Sequence, residues 1–194
     1  TDDPGSFIYR RSLGTDASAA APRVAEAVAG EASFVDSTLK HFPGHGAAPG
    51  DSHRTIPSTD MSIDAWRAGE ALPFQAGIDA GAQLVMFGHL AYTSVDAAPA
   101  SLSVAWHDIL RDELGFTGVA ITDDMAMLEA SGIAAYRDPV ANAVAALVAG
   151  NDMVLGVAYS SVERANAVID GISGAVASGA LSSERLDEAA TRVV

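Results

Sequence analysis

Gly118-Val-Ala-Ile-Thr122, closed by Asp123-Asp124, is a short uncharged apolar run ending on two carboxylates. It is too short for an ordinary helix and suits a strand covered on both faces. Three more runs have the same character. They are Ser33-Phe-Val-Asp-Ser-Thr-Leu39, which leads into Lys40 and His41, then Gln83-Leu-Val-Met-Phe-Gly88 and Asp152-Met-Val-Leu-Gly156. Segments with helical spacing lie between and around them, predicting helices over 17–30, 103–114, 138–149, 161–177 and 183–193. Trp106, Ile109, Leu110 and Leu114 form one apolar face, with Gly115 as its stop signal. Val140, Val144, Leu147 and Val148 form another before Gly150, and Val162, Ala165, Ile169, Ile172 and Val176 a third.

Strands alternating with helices imply βαβ units and a parallel sheet. Four units fit either a small doubly wound sheet or half of a (β/α)8 barrel, which usually needs about 250 residues. In both, chemistry sits at the C-terminal strand ends. The polar residues fall there: Lys40-His41, His89 and Asp123-Asp124.

The chain has 194 residues, 49% of them hydrophobic, which excludes a disordered chain. No stretch approaches the 18 uninterrupted apolar residues of a membrane span. A net charge of −14 argues against nucleic acid and anionic membranes as partners. With no cysteine, disulfides, thiolate metal sites and a cysteine nucleophile are excluded. Neither property fixes a compartment, so cell-envelope and cytoplasmic locations both stay open. Thr1-Asp-Asp-Pro-Gly5 lacks Met and reads as loop, so residues are expected upstream.

The segment richest in chemistry is Lys40-His-Phe-Pro-Gly-His-Gly-Ala-Ala-Pro-Gly-Asp-Ser-His53. Its glycines and prolines predict a long mobile loop over 44–57, hinged at Gly44, Gly46 and Gly50. Asp51 and His53 stand two apart on it. A carboxylate that accepts an imidazole N–H fixes the tautomer and raises the pKa, which suits a proton shuttle. Lys40 and His41 are neighbours, so both can face a ligand only where the strand ends; Lys40 can equally pair with a carboxylate. His45 is expected to shape the turn. Asp123 can act as a nucleophile at a strand end while Asp124 makes hydrogen bonds, or an Asp there caps the next helix. His89 is either site-lining or a satisfied buried histidine. His41, His45, Asp51 and His53 are four potential metal ligands, but two lie in a Gly/Pro loop and no helical His-x-x-x-His pair is present.

Lys40-His-Phe-Pro-Gly-His-Gly46 followed by Asp51-Ser-His53 resembles the signature of glycoside hydrolase family 3, in its NagZ-like β-N-acetylglucosaminidase (β-N-acetylhexosaminidase) branch. Arg11-Ser-Leu-Gly14, Gly88-His-Leu-Ala-Tyr92, Leu114-Gly-Phe-Thr-Gly118 and Thr122-Asp-Asp-Met125 continue the resemblance in order along nearly the whole chain. The β-glucosidase branch lacks the Asp-Ser-His loop.

The resemblance implies an α/β TIM-barrel fold, with residues 1–194 as a single partial domain of about the last four βα units. It implies retaining removal of terminal β-linked N-acetylglucosamine, with peptidoglycan-derived muropeptides as the favoured substrate and cell-wall turnover as the setting. It also implies roles. Asp123 matches the nucleophile, His53 the acid/base and Asp51 its dyad partner. Arg11, Lys40 and His41 match sugar-binding residues, and Asp124, Met127 and His89 match positions that line or buttress the pocket. No cofactor or metal is implied. The matched part is C-terminal, and Arg192-Val-Val194 falls inside the family's final helix. The rest of the barrel is expected from the same or another chain. A sugar-binding fragment without a competent pocket and a metal-dependent hydrolase are the alternatives, and whether phosphate competes with water as acceptor stays open.

Overall fold

The computed structural model describes residues 6–158 and 160–194; the expected loop at Thr1–Gly5 lies outside them. Strands β1 (Thr38–Phe42), β3 (Leu84–Phe87), β5 (Val119–Asp124) and β6 (Met153–Leu155) form one parallel sheet in the order β1-β3-β5-β6. A separate parallel pair, β2 (Ser58–Thr59) and β4 (Ala91–Tyr92), lies in the connections. Each sheet strand pairs with the next in the chain, without the reversal of order that defines a doubly wound sheet. Of the two architectures the sequence allows, the barrel type is the one formed.

Helix α1 (Ala17–Glu31) precedes β1; α2 (Ile63–Ala68), α3 (Ala71–Asp79), α4 (Val104–Asp108), α5 (Ala126–Ala130) and α6 (Pro139–Ala149) fill the crossovers; α7 (Val162–Ser178) and α8 (Ser183–Val193) follow β6. Side chains of Asp16, Ser62, Ser103, Asp138, Ser161 and Ser182 accept a backbone N–H at six of their starts. Gly115 and Gly150 follow two of the predicted apolar faces with positive φ, 68° and 128°.

The structure corrects several expectations. The first strand begins at Thr38. Phe34 and Val35 lie instead in the turn after α1, 85% and 61% exposed. The helix expected over 103–114 is α4 followed by a π-turn at Ile109–Glu113, where the Leu114 N–H reaches the Ile109 carbonyl at 3.0 Å. Helices α2 and α3 were not signalled, because Gly69 and Pro73 interrupt the period; Pro73 is tolerated in a first turn, where its missing N–H has no partner to lose. Val148, Val162 and Ile169, expected to face inward, are exposed.

The strands are not covered equally on both faces. Leu39, Val85 and Ala120 pair side by side and are buried, as are Phe87 and Thr122 one step on. The alternate row, Lys40, Met86, Ile121 and Met153, is also in lateral register but more open at Lys40 and Met153. Buried aromatics pack around the C-terminal end of β1. Phe42 meets Trp66, Phe74, Phe87 and Trp106 with ring centroids 5.0–5.9 Å apart, in edge-to-face pairs worth ~1 kcal/mol each beyond the burial.

An ionic cluster holds α8. The Asp152 carboxylate, fully buried, takes Arg111 at 2.6 Å, Arg185 at 2.7 Å and Arg192 at 3.1 Å, plus the Ala120 N–H at 2.9 Å. Removing the carboxylate would leave three guanidinium groups crowded together.

His107 is buried, stacks on Phe87 at 3.9 Å and bonds the Ser103 carbonyl through Nδ1 at 2.8 Å. Burial pulls its pKa down to about 4, against an ordinary 6.5. The unfolded chain therefore takes up a proton between pH 6.5 and 4 that the folded chain refuses, so stability falls as pH drops through that window. Urea unfolding is expected to show a lower midpoint at pH 5 than at pH 7, with this histidine contributing on the order of 2 kcal/mol of the fall. A His107→Gln variant should lose less on acidification. An equal loss in both proteins would contradict the assignment.

Candidate active site

β1 solves a geometric problem. Lys40 pairs with Met86 and Phe42 with Phe87, so β1 has one residue more than β3 across that step. Such a bulge interrupts the alternation. Leu39 and Phe42 both join the core, while between them Lys40 is exposed and the buried His41 is turned toward Asp123. The expectation that these neighbours need a strand terminus is thereby corrected, because the irregularity lies inside the strand. The Lys40–His41 and Phe42–Pro43 peptide bonds are both cis.

His41 is buried, with Nε2 3.5 Å from Asp123 Oδ2 at the end of β5. Burial draws its pKa down to about 4 and outweighs the opposing pull of Asp123. At neutral pH the contact is thus a neutral imidazole beside a carboxylate, not an ion pair. The Asp123 side chain keeps 17% exposure, and its Oδ1 accepts the Asp124 N–H at 2.8 Å.

The segment after β1 is clamped where it begins. The Trp66 indole N–H donates to the Pro43 carbonyl and the Tyr92 hydroxyl to the Gly44 carbonyl, both at 2.8 Å. Gly44 has φ 139°, and a Cβ there would stand 2.9 Å from Glu70 Oε2 and 3.0 Å from the Tyr92 hydroxyl, so no other residue fits. His45 opens a short 3-10 turn, as expected of a turn former, and has further contacts. Its Nε2 meets the buried Ser52 hydroxyl at 3.0 Å, and its ring lies edge-on to His41 at 5.8 Å. Burial holds its pKa down.

Asp51 and His53 are in direct contact. Asp51 Oδ1 accepts both the His53 backbone N–H at 3.0 Å and its ring Nδ1–H at 2.9 Å. The first bond leads in holding the Asp51 carboxyl below its usual range. With Nδ1 occupied, Nε2 is the ring atom left for a ligand, and the side chain is 53% exposed. Phe7 joins the groups, its ring centroid 4.7 Å from His53 and 5.6 Å from His45, with the Arg11 guanidinium 5.2 Å from it. A line of contacts therefore runs Asp123–His41–His45–Phe7–His53.

A cavity of about 480 Å³ brings Arg11, Lys40 and His41 together with His45 and Glu70, whose carboxyl burial pushes upward. Asp123 and His53 are not in its lining, and its apolar half follows the outer side of β1 along Val24, Val28 and Leu39. The reactive groups are better located by the strand ends than by this cavity.

The remaining predicted residues are scaffold-like in placement. Asp124 spends its carboxylate on three backbone amides: Ala126 at 3.2 Å, Val157 at 3.1 Å and Ala158 at 2.9 Å. It ties the chain after β6 to the end of β5. His89 is fully buried between Ser101 and the Asp124 carbonyl. Met127 is buried in α5. Among the described residues no three His, Asp or Glu side chains converge to hold a metal ion, and no helix is long and apolar enough to cross a membrane. Phe7, Ser52, Glu70 and Ser101 were not singled out in the sequence. Their types are common, and only their placement in the fold distinguishes them.

The family model described as glycosyl hydrolase family 3 N-terminal domain matches residues 1–194. A beta-hexosaminidase of Stenotrophomonas maltophilia is 44% identical over 138 residues, which is 71% of this chain and 40% of that protein. One of Chromobacterium violaceum is 44% identical over 117 residues, 60% and 32% respectively. The chain thus spans well under half the length of these relatives. Among solved structures, a family 3 beta-N-acetylglucosaminidase from Paenibacillus superimposes with a TM-score of 0.88 at 35% identity, over 98% of this chain and 36% of that one. A beta-N-acetylhexosaminidase from Beutenbergia cavernae gives 0.85 at 33%, over 98% and 55%.

The placement of Asp124 generates a prediction. Asp124→Ala removes the carboxylate that accepts three charge-assisted hydrogen bonds, whose donor amides can partly turn to water. It should lower the unfolding free energy by about 2 kcal/mol in urea titration. A variant as stable as the parent would show that the carboxylate is not a tie between β5 and the segment after β6.

Proposed function

This chain belongs to glycosyl hydrolase family 3, and we propose that it carries the catalytic groups of a retaining β-N-acetylhexosaminidase. The observation that carries the reading is the pairing of two separate devices: a carboxylate at a strand end against a neutral imidazole, and an Asp–His pair on the loop after β1. The names of the relatives and of the similar structures point the same way.

In the proposed mechanism Asp123 is the nucleophile. Its Oδ2 attacks the anomeric carbon of a terminal β-linked N-acetylglucosamine as the bond to the leaving oxygen breaks. His53, protonated on both nitrogens, gives its Nε2 proton to that oxygen and becomes neutral. Asp51 holds the Nδ1–H throughout and stabilises the cationic form. The glycosyl ester on Asp123 is then cleaved by water, whose proton returns to His53 Nε2. Two inversions leave the configuration retained. A His–Asp acid/base departs from the two-carboxylate arrangement of most retaining enzymes. His41, neutral beside Asp123, can donate a hydrogen bond to the carboxylate without protonating it outright. Arg11 and Lys40, which share a cavity with His41, supply cationic donors for sugar hydroxyls.

We assign residues 1–194 to one partial barrel domain. The four parallel strands are half of the eight that a barrel needs. The remaining half, in the same or another chain, is part of the proposal. Muropeptides from peptidoglycan are the substrate we favour, from the family resemblance.

The test is turnover of an aryl N-acetyl-β-glucosaminide by the barrel-complete protein. Asp123→Asn should reduce kcat to background, and His53→Ala should cost about 10²–10⁴-fold on a poor leaving group. The first-formed sugar should be the β-anomer by proton NMR. Undiminished activity in Asp123→Asn, or release of the α-anomer, would overturn the mechanism.

A further inference from the structure

We propose that Ser101, acting through His89, is a positioning residue that holds the end of β5 and so aims the Asp123 carboxylate. The proposal rests on the reading of Asp123 as the nucleophile. His89 follows β3, is fully buried and touches two groups of opposite demand. Its Nε2 lies 3.1 Å from the Asp124 carbonyl, and its Nδ1 lies 2.6 Å from the Ser101 hydroxyl. A carbonyl only accepts, so Nε2 must carry a hydrogen. A neutral ring then has a bare Nδ1, and the Ser101 O–H donates to it. Burial disfavours the doubly protonated ring that would free the serine from this duty. The two partners together specify one tautomer.

Both ends of this chain are anchored. The Ser101 side chain is fully buried, and its carbonyl accepts the Asn151 amide at 2.8 Å; the same amide also reaches the Ala146 carbonyl at 2.9 Å. At the other end Asp124 is gripped three ways. Its carbonyl takes His89, its carboxylate takes the Ala126, Val157 and Ala158 amides, and its own N–H donates to Asp123 Oδ1 at 2.8 Å. The orientation of the Asp124 backbone therefore sets the donor that orients the nucleophile. The arrangement has a second effect. With Nε2–H given to a backbone carbonyl and Nδ1 covered by a hydroxyl, His89 offers no proton to the Asp123 carboxylate.

Without the serine hydroxyl, Nδ1 is a buried acceptor with no donor, and the ring keeps its hydrogen on Nε2 but loses one of its two anchors. Held at one end only, the ring can tilt away from the Asp124 carbonyl, and the end of β5 would shift. A displacement near 1 Å at a reacting group costs on the order of 100-fold in rate.

The test uses nitrogen-resolved NMR of the His89 ring, the carboxyl-carbon shift of Asp123 and steady-state kinetics of the barrel-complete protein. In the wild type Nε2 should be protonated and Nδ1 bare. In Ser101→Ala the hydrogen should stay on Nε2, the Nδ1 signal should lose the shift of a hydrogen-bonded acceptor, and the Asp123 carboxyl signal should move. The value of kcat should fall about 100-fold with KM nearly unchanged. His89→Gln, whose side-chain amide can still donate to the Asp124 carbonyl, should keep more of kcat than His89→Asn, which is too short to do so. This pair also serves if Ser101→Ala does not fold. A wild-type proton on Nδ1, or a folded Ser101→Ala with unchanged Asp123 signal and kcat, overturns the proposal. If the wild type turns over no glycoside, the nucleophile reading fails. The ring and carboxyl signals then still decide whether Ser101 and His89 aim Asp123.

Discussion

Everything in this structure follows from four strands pairing in chain order and all in one direction. That constraint puts the C-terminal ends of β1, β3 and β5 side by side, and with them His41, His89 and Asp123. Residues far apart in the chain meet because the register aligns Leu39 with Val85 and Ala120. The bulge in β1 adds the one adjustment the site needs. It lets two adjacent residues, Lys40 and His41, both reach the cavity, while Leu39 and Phe42 are both kept in the core.

The two ends of the sheet handle charge in opposite ways. Where the chain enters β6, Asp152 is fully buried and fully compensated by three arginines and a backbone amide. At the other end, the histidines around Asp123 are kept neutral by burial. A carboxylate placed among neutral imidazoles has hydrogen-bonding neighbours without a counter-ion that would quench it. The net charge of −14 lies mostly elsewhere and shapes the surface rather than this centre.

Much of this was legible in the sequence, for identifiable reasons. The runs at 83–88, 118–122 and 152–156 became strands because short apolar segments between helical periods have few other options. The helix over 183–193 was found at its true ends because Ser182 caps it and its apolar spacing is regular. The contact of Asp51 with His53 follows from a spacing at which an Asp side chain reaches the amide two residues on. Other features were not legible. Phe34 and Val35 have the composition of a strand, but α1 runs so late that they fall in its exit turn. The β1 bulge is a property of pairing with β3, which no local pattern encodes. Ser101 is one of many serines, and only its burial against His89 gives it meaning.

The central claim is that Asp123 forms a covalent bond to the sugar. It is tested most directly by trapping the barrel-complete protein with a slowly hydrolysed fluorinated N-acetylglucosaminyl fluoride and mapping the adduct by peptide mass spectrometry. The account predicts one added sugar on the peptide containing Asp123, and none in Asp123→Asn. A stable adduct on any other carboxylate, or active protein that turns the reagent over with no adduct, would contradict it.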